Sequence, residues 1–196
     1  MAIEPVKMKS NKPTFKPGSW RNWKLGFSRP CLGLIMSLLA TPLLAQEWAP
    51  NEQFLNLVRK IESADGLMLV GDHGNSRGAY QMSAGAWNDV SDWRRARNLR
   101  SYAYTTMIWD ESISRVYASN YLQMLHDRLV RSMGRTPSCG EVYAAYNMGF
   151  AAFAHCQFSL AHVNSITAGN CRFIDHSIAE TETVQSRQNA LMVASR

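Results

Sequence analysis

The sequence predicts a mainly α domain of the α+β kind with one small β-hairpin, and three observations carry that prediction. Apolar residues recur at helical spacing in four separate stretches, each preceded by a residue able to cap a helix. Only one segment, around His73-Gly74-Asn75-Ser76, places turn chemistry between two short strand-compatible runs. Residues 46–196 are enough for one domain with a full core and too few for a second of normal size.

Residues 1–45 read as a secretory signal peptide with a basic N-terminal region. The apolar run Cys31-Leu32-Gly33-Leu34-Ile35-Met36-Ser37-Leu38-Leu39-Ala40 falls short of the ~20 residues of a membrane-spanning helix. Leu43-Leu44-Ala45 before Gln46 suits cleavage; if uncleaved, the segment serves as an anchor. It holds seven basic side chains against one acidic, which accounts for the whole net charge of +6. The remaining 14 basic and 14 acidic side chains cancel, so the basic balance is no argument for nucleic-acid binding.

From Pro50 to Ala64, Asn51 can cap a helix on which Phe54, Leu55, Val58, Ile61 and Glu62 share a face, with Asp65-Gly66 ending it. Leu67 to Asp72 and Arg77 to Met82 are the two expected strands. Ser83 caps a helix through Trp87, Val90 and Trp93, and the basic, aromatic stretch Arg94 to Tyr104 reads as loop. Asp110 or Ser112 starts a longer helix running to Gly134. The capping box Ser138-Cys139-Gly140-Glu141 launches a helix through Val142, Ala145, Tyr146 and Phe150. An irregular stretch to about Asp175 and a polar helix from Ser177 to about Val193 complete the expectation.

Cys139, Cys156 and Cys171 are an odd number for an exported protein; sequence does not say which two would pair, with Cys156 and Cys171 the favoured choice. His155, Cys156, His162, Cys171 and His176 match no zinc spacing, and no cofactor is called for. Trp87, Trp93 and Trp109 suit core packing more than sugar stacking. Arg94, Arg95, Arg97 and Arg100 read as a solvated face.

Glu62 stands out chemically. An acid at the C-terminal end of a helix, on its apolar face, is desolvated and sits near the negative pole of the helix dipole, and both effects raise its pKa. A carboxyl still protonated near neutral pH can donate to a leaving oxygen, the general-acid role in breaking a glycosidic bond. By contrast, Gly74-Asn75-Ser76-Arg77-Gly78 matches the G-x-S-x-G pattern of serine hydrolases, with Ser76 as nucleophile. That chemistry needs a buried strand before the serine, a helix directly after it and a large parallel sheet, for which this chain is too short.

Glu62-Ser63, Gly78-Ala79-Tyr80-Gln81-Met82 and Ala145-Tyr146-Asn147-Met148-Gly149 follow one another in an order and spacing that resemble the lysozyme-like superfamily, in particular the Slt-type lytic transglycosylases. Asp72, Gln81, Trp87 and Asp89 are also placed as in invertebrate-type lysozymes. The resemblance covers about residues 50–155. It implies cleavage of the β-1,4 link between N-acetylmuramic acid and N-acetylglucosamine in peptidoglycan, by lytic transglycosylation or hydrolysis. In that likeness Glu62 is the general acid with Ser63 as its hydrogen-bonding support, and Asp72 is the candidate second catalytic carboxylate, slightly nearer the Glu than in invertebrate-type lysozymes and without a counterpart in lytic transglycosylases. Tyr80, Gln81, Tyr146 and Asn147 line the sugar cleft.

Tyr80 departs from the Slt-type motif, which has Met there, and the dense cysteine framework of invertebrate-type lysozymes is missing. The expected partner is the peptidoglycan strand, met by a monomer in the bacterial periplasm or outside the cell. No nucleic acid is expected, and a membrane only if the leader is retained. A catalytically silent wall-binding or wall-assembly protein is the alternative from another class.

Overall fold

A computed structural model describes residues 47–195; the expected leader lies outside them. Among the described residues seven α-helices surround one three-stranded antiparallel sheet in the order β1-β2-β3. The sheet is one strand larger than the expected hairpin, and each strand is only two residues long: β1 Val70–Gly71, β2 Ser76–Arg77 and β3 Met82–Ser83. Pairing runs Val70 with Arg77 and Gly71 with Ser76, then Ser76 with Ser83 and Arg77 with Met82.

Helix α1, Glu52–Ser63, begins where the Asn51 side chain accepts from the Phe54 amide and buries Phe54, Leu55 and Val58. Its last residue, Ser63, is one short of the expected Ala64. Ala64, Asp65 and Gly66 take left-handed φ values of 50°, 60° and 87° in succession, a conformation that costs a non-glycine residue roughly 1–2 kcal/mol. The buried Ser63 hydroxyl offsets part of that cost. Its one proton lies between the carbonyls of Ala79 (2.7 Å) and Arg59 (3.0 Å), and its oxygen accepts from the Gly66 amide (2.8 Å).

Helix α2, Ala84–Arg95, is capped by Ser83, and α3, Tyr104–Met107, is a short turn that begins at the last residue of the stretch expected to be loop. Trp87 stacks on Tyr117 at 3.7 Å and donates to the Tyr102 carbonyl at 2.8 Å, tying that stretch to the core. Arg94 was expected on a solvated face and is buried instead. Its guanidinium donates to the Arg100 carbonyl and the Asn120 side chain and lies over the Tyr117 ring, so its charge is compensated by partners distant in sequence.

Helix α4, Glu111–Met133, is capped by Asp110 and closed by Gly134 at φ 67°. Helix α5, Cys139–Met148, has the expected capping box in both directions, Ser138 to Glu141 and back. It ends at Gly149, not Phe150, and α6, Phe150–His155, follows. Helix α5 contacts α4, α6 and α7, and Gly140 through Ala145 are all buried. A helix covered on every side needs no apolar stripe.

Helix α7, Ser165–Ala194, begins twelve residues before its expected start. Its inner face docks on α5 partly through polar groups, which hides the helical pattern. Asp175 accepts from the Gly140 amide (2.7 Å) and the Ser138 hydroxyl (2.9 Å). A Cβ at Gly140 would stand 2.5 Å from the Asp175 carboxylate and 2.7 Å from the Cys171 carbonyl, so glycine is what lets the two helices close. No pair of cysteines is bonded among the described residues, against the expected Cys156–Cys171 bridge. Cys171 is buried among the core side chains, whereas the Cys156 thiol donates to the His162 carbonyl at 3.4 Å. Burial pushes the Cys171 thiol up to about 12.

Candidate active site

Five of the seven expected site residues come together on one cleft. Glu62, Asp72, Gln81, Tyr146 and Asn147 line a polar chamber of ≈ 270 Å³ with Gly71 and Ser76. A second chamber of ≈ 250 Å³ shares Asp72, Ser76, Gln81, Tyr146 and Asn147 and extends to Met82, Ala86 and Tyr121. Together they fall within the roughly 300–1,000 Å³ typical of small-molecule sites.

Glu62 is the penultimate residue of α1 and reaches the cleft from its half-buried end. Tyr143 donates its phenol to Glu62 Oε1 at 2.9 Å, and Asn147 donates Nδ2 to the same oxygen at 3.3 Å. Oε2 accepts no hydrogen bond from the described residues. Burial pushes the carboxyl above its ordinary value of 4.5; the two donors pull it down, and the negative charge of Asp72 adds a smaller upward push. Burial wins, so the acid holds its proton to higher pH than a solvated glutamate. With both donors on Oε1, that oxygen is the carbonyl-like one, and Oε2 is left to carry the proton.

The supporting residues form a chain. Thr167 donates to Asn147 Oδ1 at 3.0 Å, and Asn164 donates Nδ2 to the Thr167 hydroxyl at 2.9 Å. The Asn147 amide is therefore held with its NH₂ towards Glu62. Burial, followed by the charge of Glu62, raises the Tyr143 phenol far above its ordinary value, so it stays a donor. Tyr143 was not among the expected residues. Its signal in the sequence is its position four residues before Asn147, one turn away on the same helix face.

Asp72 is exposed at the far rim, in a 3₁₀ turn Asp72–Gly74, with φ 50°. Gln81 has φ 46°, and its Nε2 donates to the carbonyls of Met68 (2.8 Å) and Gly78 (3.0 Å). Its NH₂ is thus committed to holding the hairpin, while Oε1 is buried with no partner among the described residues, and the residue lines the cleft as expected. Tyr146 likewise lends its hydroxyl to the Tyr80 carbonyl at 2.7 Å. Among the described residues eight non-glycine positions have positive φ, and five of them lie between residues 64 and 81, including the cleft residues Asp72 and Gln81.

Two expected residues lie elsewhere. Ser63 is fully buried and its hydroxyl serves backbone groups, not the Glu62 carboxyl. It follows Glu62 by about 100° of helical rotation, which turns it inward. Tyr80 is also fully buried, and Arg115 donates to its hydroxyl at 2.9 Å from the side of α4. It therefore fills the core where the resemblance put a cleft residue.

Ser76 lines both chambers, but its hydroxyl makes no hydrogen bond to a histidine or carboxylate among the described residues. It sits on a two-residue antiparallel strand, and the next α-helix after it begins only at Ala84, which is not the setting of a nucleophile elbow. Gly78 has φ 76°, and a Cβ there would stand 2.3 Å from the Ile108 carbonyl. Its place in the G-x-S-x-G pattern is explained by the turn. Of the tryptophans, Trp87 is in the core, Trp93 is half-buried and Trp109 is exposed. No protein-family model, curated protein or solved structure matches the chain.

Proposed function

We propose that the protein is a peptidoglycan-cleaving glycosidase that acts on the β-1,4 bond between N-acetylmuramic acid and N-acetylglucosamine. The observation that carries this reading is Glu62: a desolvated carboxyl with both donors on one oxygen, in a cleft that also holds Asp72. The resemblance of the Glu62-Ser63, Gly78 to Met82 and Ala145 to Gly149 segments to the lysozyme-like superfamily supplies the substrate class.

Glu62 gives its Oε2 proton to the bridging oxygen as that bond breaks and positive charge develops on the sugar. Asp72, a second carboxyl group on the same cleft, stabilises that charge or steers water, and the product is a reducing end. In the transglycosylase course the Glu62 carboxylate instead takes a proton from the C6 hydroxyl of the muramic residue. That hydroxyl oxygen closes on C1 to give a 1,6-anhydro end. The apolar run ahead of residue 46 supports export to the periplasm or beyond.

The test is digestion of purified peptidoglycan by the full chain, with the products weighed by mass spectrometry. Reducing ends support hydrolysis, and 1,6-anhydro ends support transglycosylation. Intact strands at all enzyme concentrations would overturn the reading in favour of a silent wall-binding protein.

A further inference from the structure

Helix α7 has two apolar faces. Thr167, Ala168, Cys171, Ile174 and Ile178 are buried, and that face docks on α5 and α1. Six large apolar side chains of the same helix are exposed, and four of them, Ile166, Phe173, Val184 and Leu191, follow one another at intervals of 7, 11 and 7 residues. At about 100° per residue those intervals keep all four within roughly 20° of one another, on a stripe turned away from the buried face. The stripe runs for about 37 Å.

Two properties indicate what covers it. Beyond Ile178, residues 179–194 are all exposed, so about half of the helix stands free of the domain that holds the other half. A free helix of that length is marginal in water and is stabilised by packing its apolar face. The order 7, 11, 7 also reads the same in both directions. Residues 166 and 191, like 173 and 184, lie equally far from the point between residues 178 and 179. A second copy lying antiparallel therefore meets the stripe in register, Ile166 against its Leu191 and Phe173 against its Val184. Each free half then lies along the domain-bearing half of the other copy.

The polar side chains favour the same direction. Ser177 and Glu180 interrupt the stripe near its centre, and Glu180 lies 3.3 Å from His176 on its own helix, both of them exposed. In antiparallel register Glu180 comes opposite the second copy's His176, whereas parallel copies would set acid against acid.

We infer that α7 is a dimerisation helix, which pairs antiparallel with α7 of a second copy about a two-fold axis between residues 178 and 179. The pairing does not rest on the glycosidase reading, and it replaces the monomer expected from the sequence.

The full chain is weighed by sedimentation over a range of concentrations, as wild type and as Val184→Glu/Leu191→Glu. Both changes fall on the free half, where neither side chain is buried in the domain. Wild type sediments at twice the chain mass, and the double variant weakens the pair at least about hundredfold, because charges replace four apolar contacts per dimer. Direction is read from Ile166→Cys/Leu191→Cys, oxidised and mapped by peptide mass. Links between position 166 of one copy and position 191 of the other are expected, since within one chain the two stand about 37 Å apart and cannot bridge.

Wild type at single-chain mass throughout, a dimer that the double variant retains, or links joining 166 to 166 and 191 to 191 each overturn the inference. So does a single chain that pellets with phosphatidylglycerol vesicles and loses them in the double variant, which assigns the stripe to a lipid surface.

Discussion

Tyr143 and Asn147 stand one helical turn apart on α5 and direct their donors at the same oxygen of Glu62, 2.9 and 3.3 Å away. A carboxyl loaded on one side only is chemically asymmetric: the loaded oxygen resists protonation and the other is free to exchange its proton with a substrate.

Glu62→Gln is expected to lower peptidoglycan cleavage by roughly 10²–10⁴-fold, the usual contribution of a positioned acid. The same variant should gain stability at neutral pH. The folded-state pKa of Glu62 is raised above 4.5, so the native protein loses stability as pH climbs from the unfolded-state value through the folded one. Glutamine has no such loss and keeps an oxygen to accept from Tyr143. Denaturant melts at pH 7 and below pH 4 check this; a gain equal at both values would show that it is not the carboxyl.

Tyr143→Phe removes a donor that favours the charged carboxylate, so the Glu62 pKa should rise further. The alkaline limb of the pH–rate profile then moves to higher pH, while the stability cost stays near the ~1 kcal/mol of one hydrogen bond. An unmoved limb would separate this phenol from the acid.

Asp72→Asn works in the opposite direction. Its negative charge raises the Glu62 pKa, so neutralising it moves the alkaline limb to lower pH. Product analysis of the same variant distinguishes the two courses: loss of cleavage marks a second carboxylate at work, whereas unchanged 1,6-anhydro product marks a mechanism without one.

Gly78→Ala should destabilise the fold by at least about 3 kcal/mol, since the new methyl meets the Ile108 carbonyl in a backbone conformation that alanine resists. Ser76→Ala, two residues earlier, should leave cleavage within about threefold of wild type if the acid alone carries the chemistry. Urea midpoints and initial rates on the same preparations give both numbers.

Helix α1, its Asn51 cap, the α5 capping box and the Gly134 stop were legible in the sequence because each is a local pattern of three or four residues. Glu62 was legible through helical periodicity, and Asn147 through its segment. Where neighbours had to be told apart, the sequence was less informative. Motif resemblance places Ser63 beside Glu62 and Tyr80 beside Gln81, but one step along a helix, or along the turn between β2 and β3, moves a side chain from cleft to core. Arg94 and the first half of α7 were missed for another reason. Their partners, Asn120 for the arginine and Gly140 for Asp175, are far away in the chain and leave no periodic trace.

The contact of Thr167 with Asn147 also ties the cleft to the far end of the chain. The amide facing the acid is oriented by a residue of the last helix, which closes over Gly140. Any change that loosens that helix therefore loosens the grip on the acid without touching the cleft.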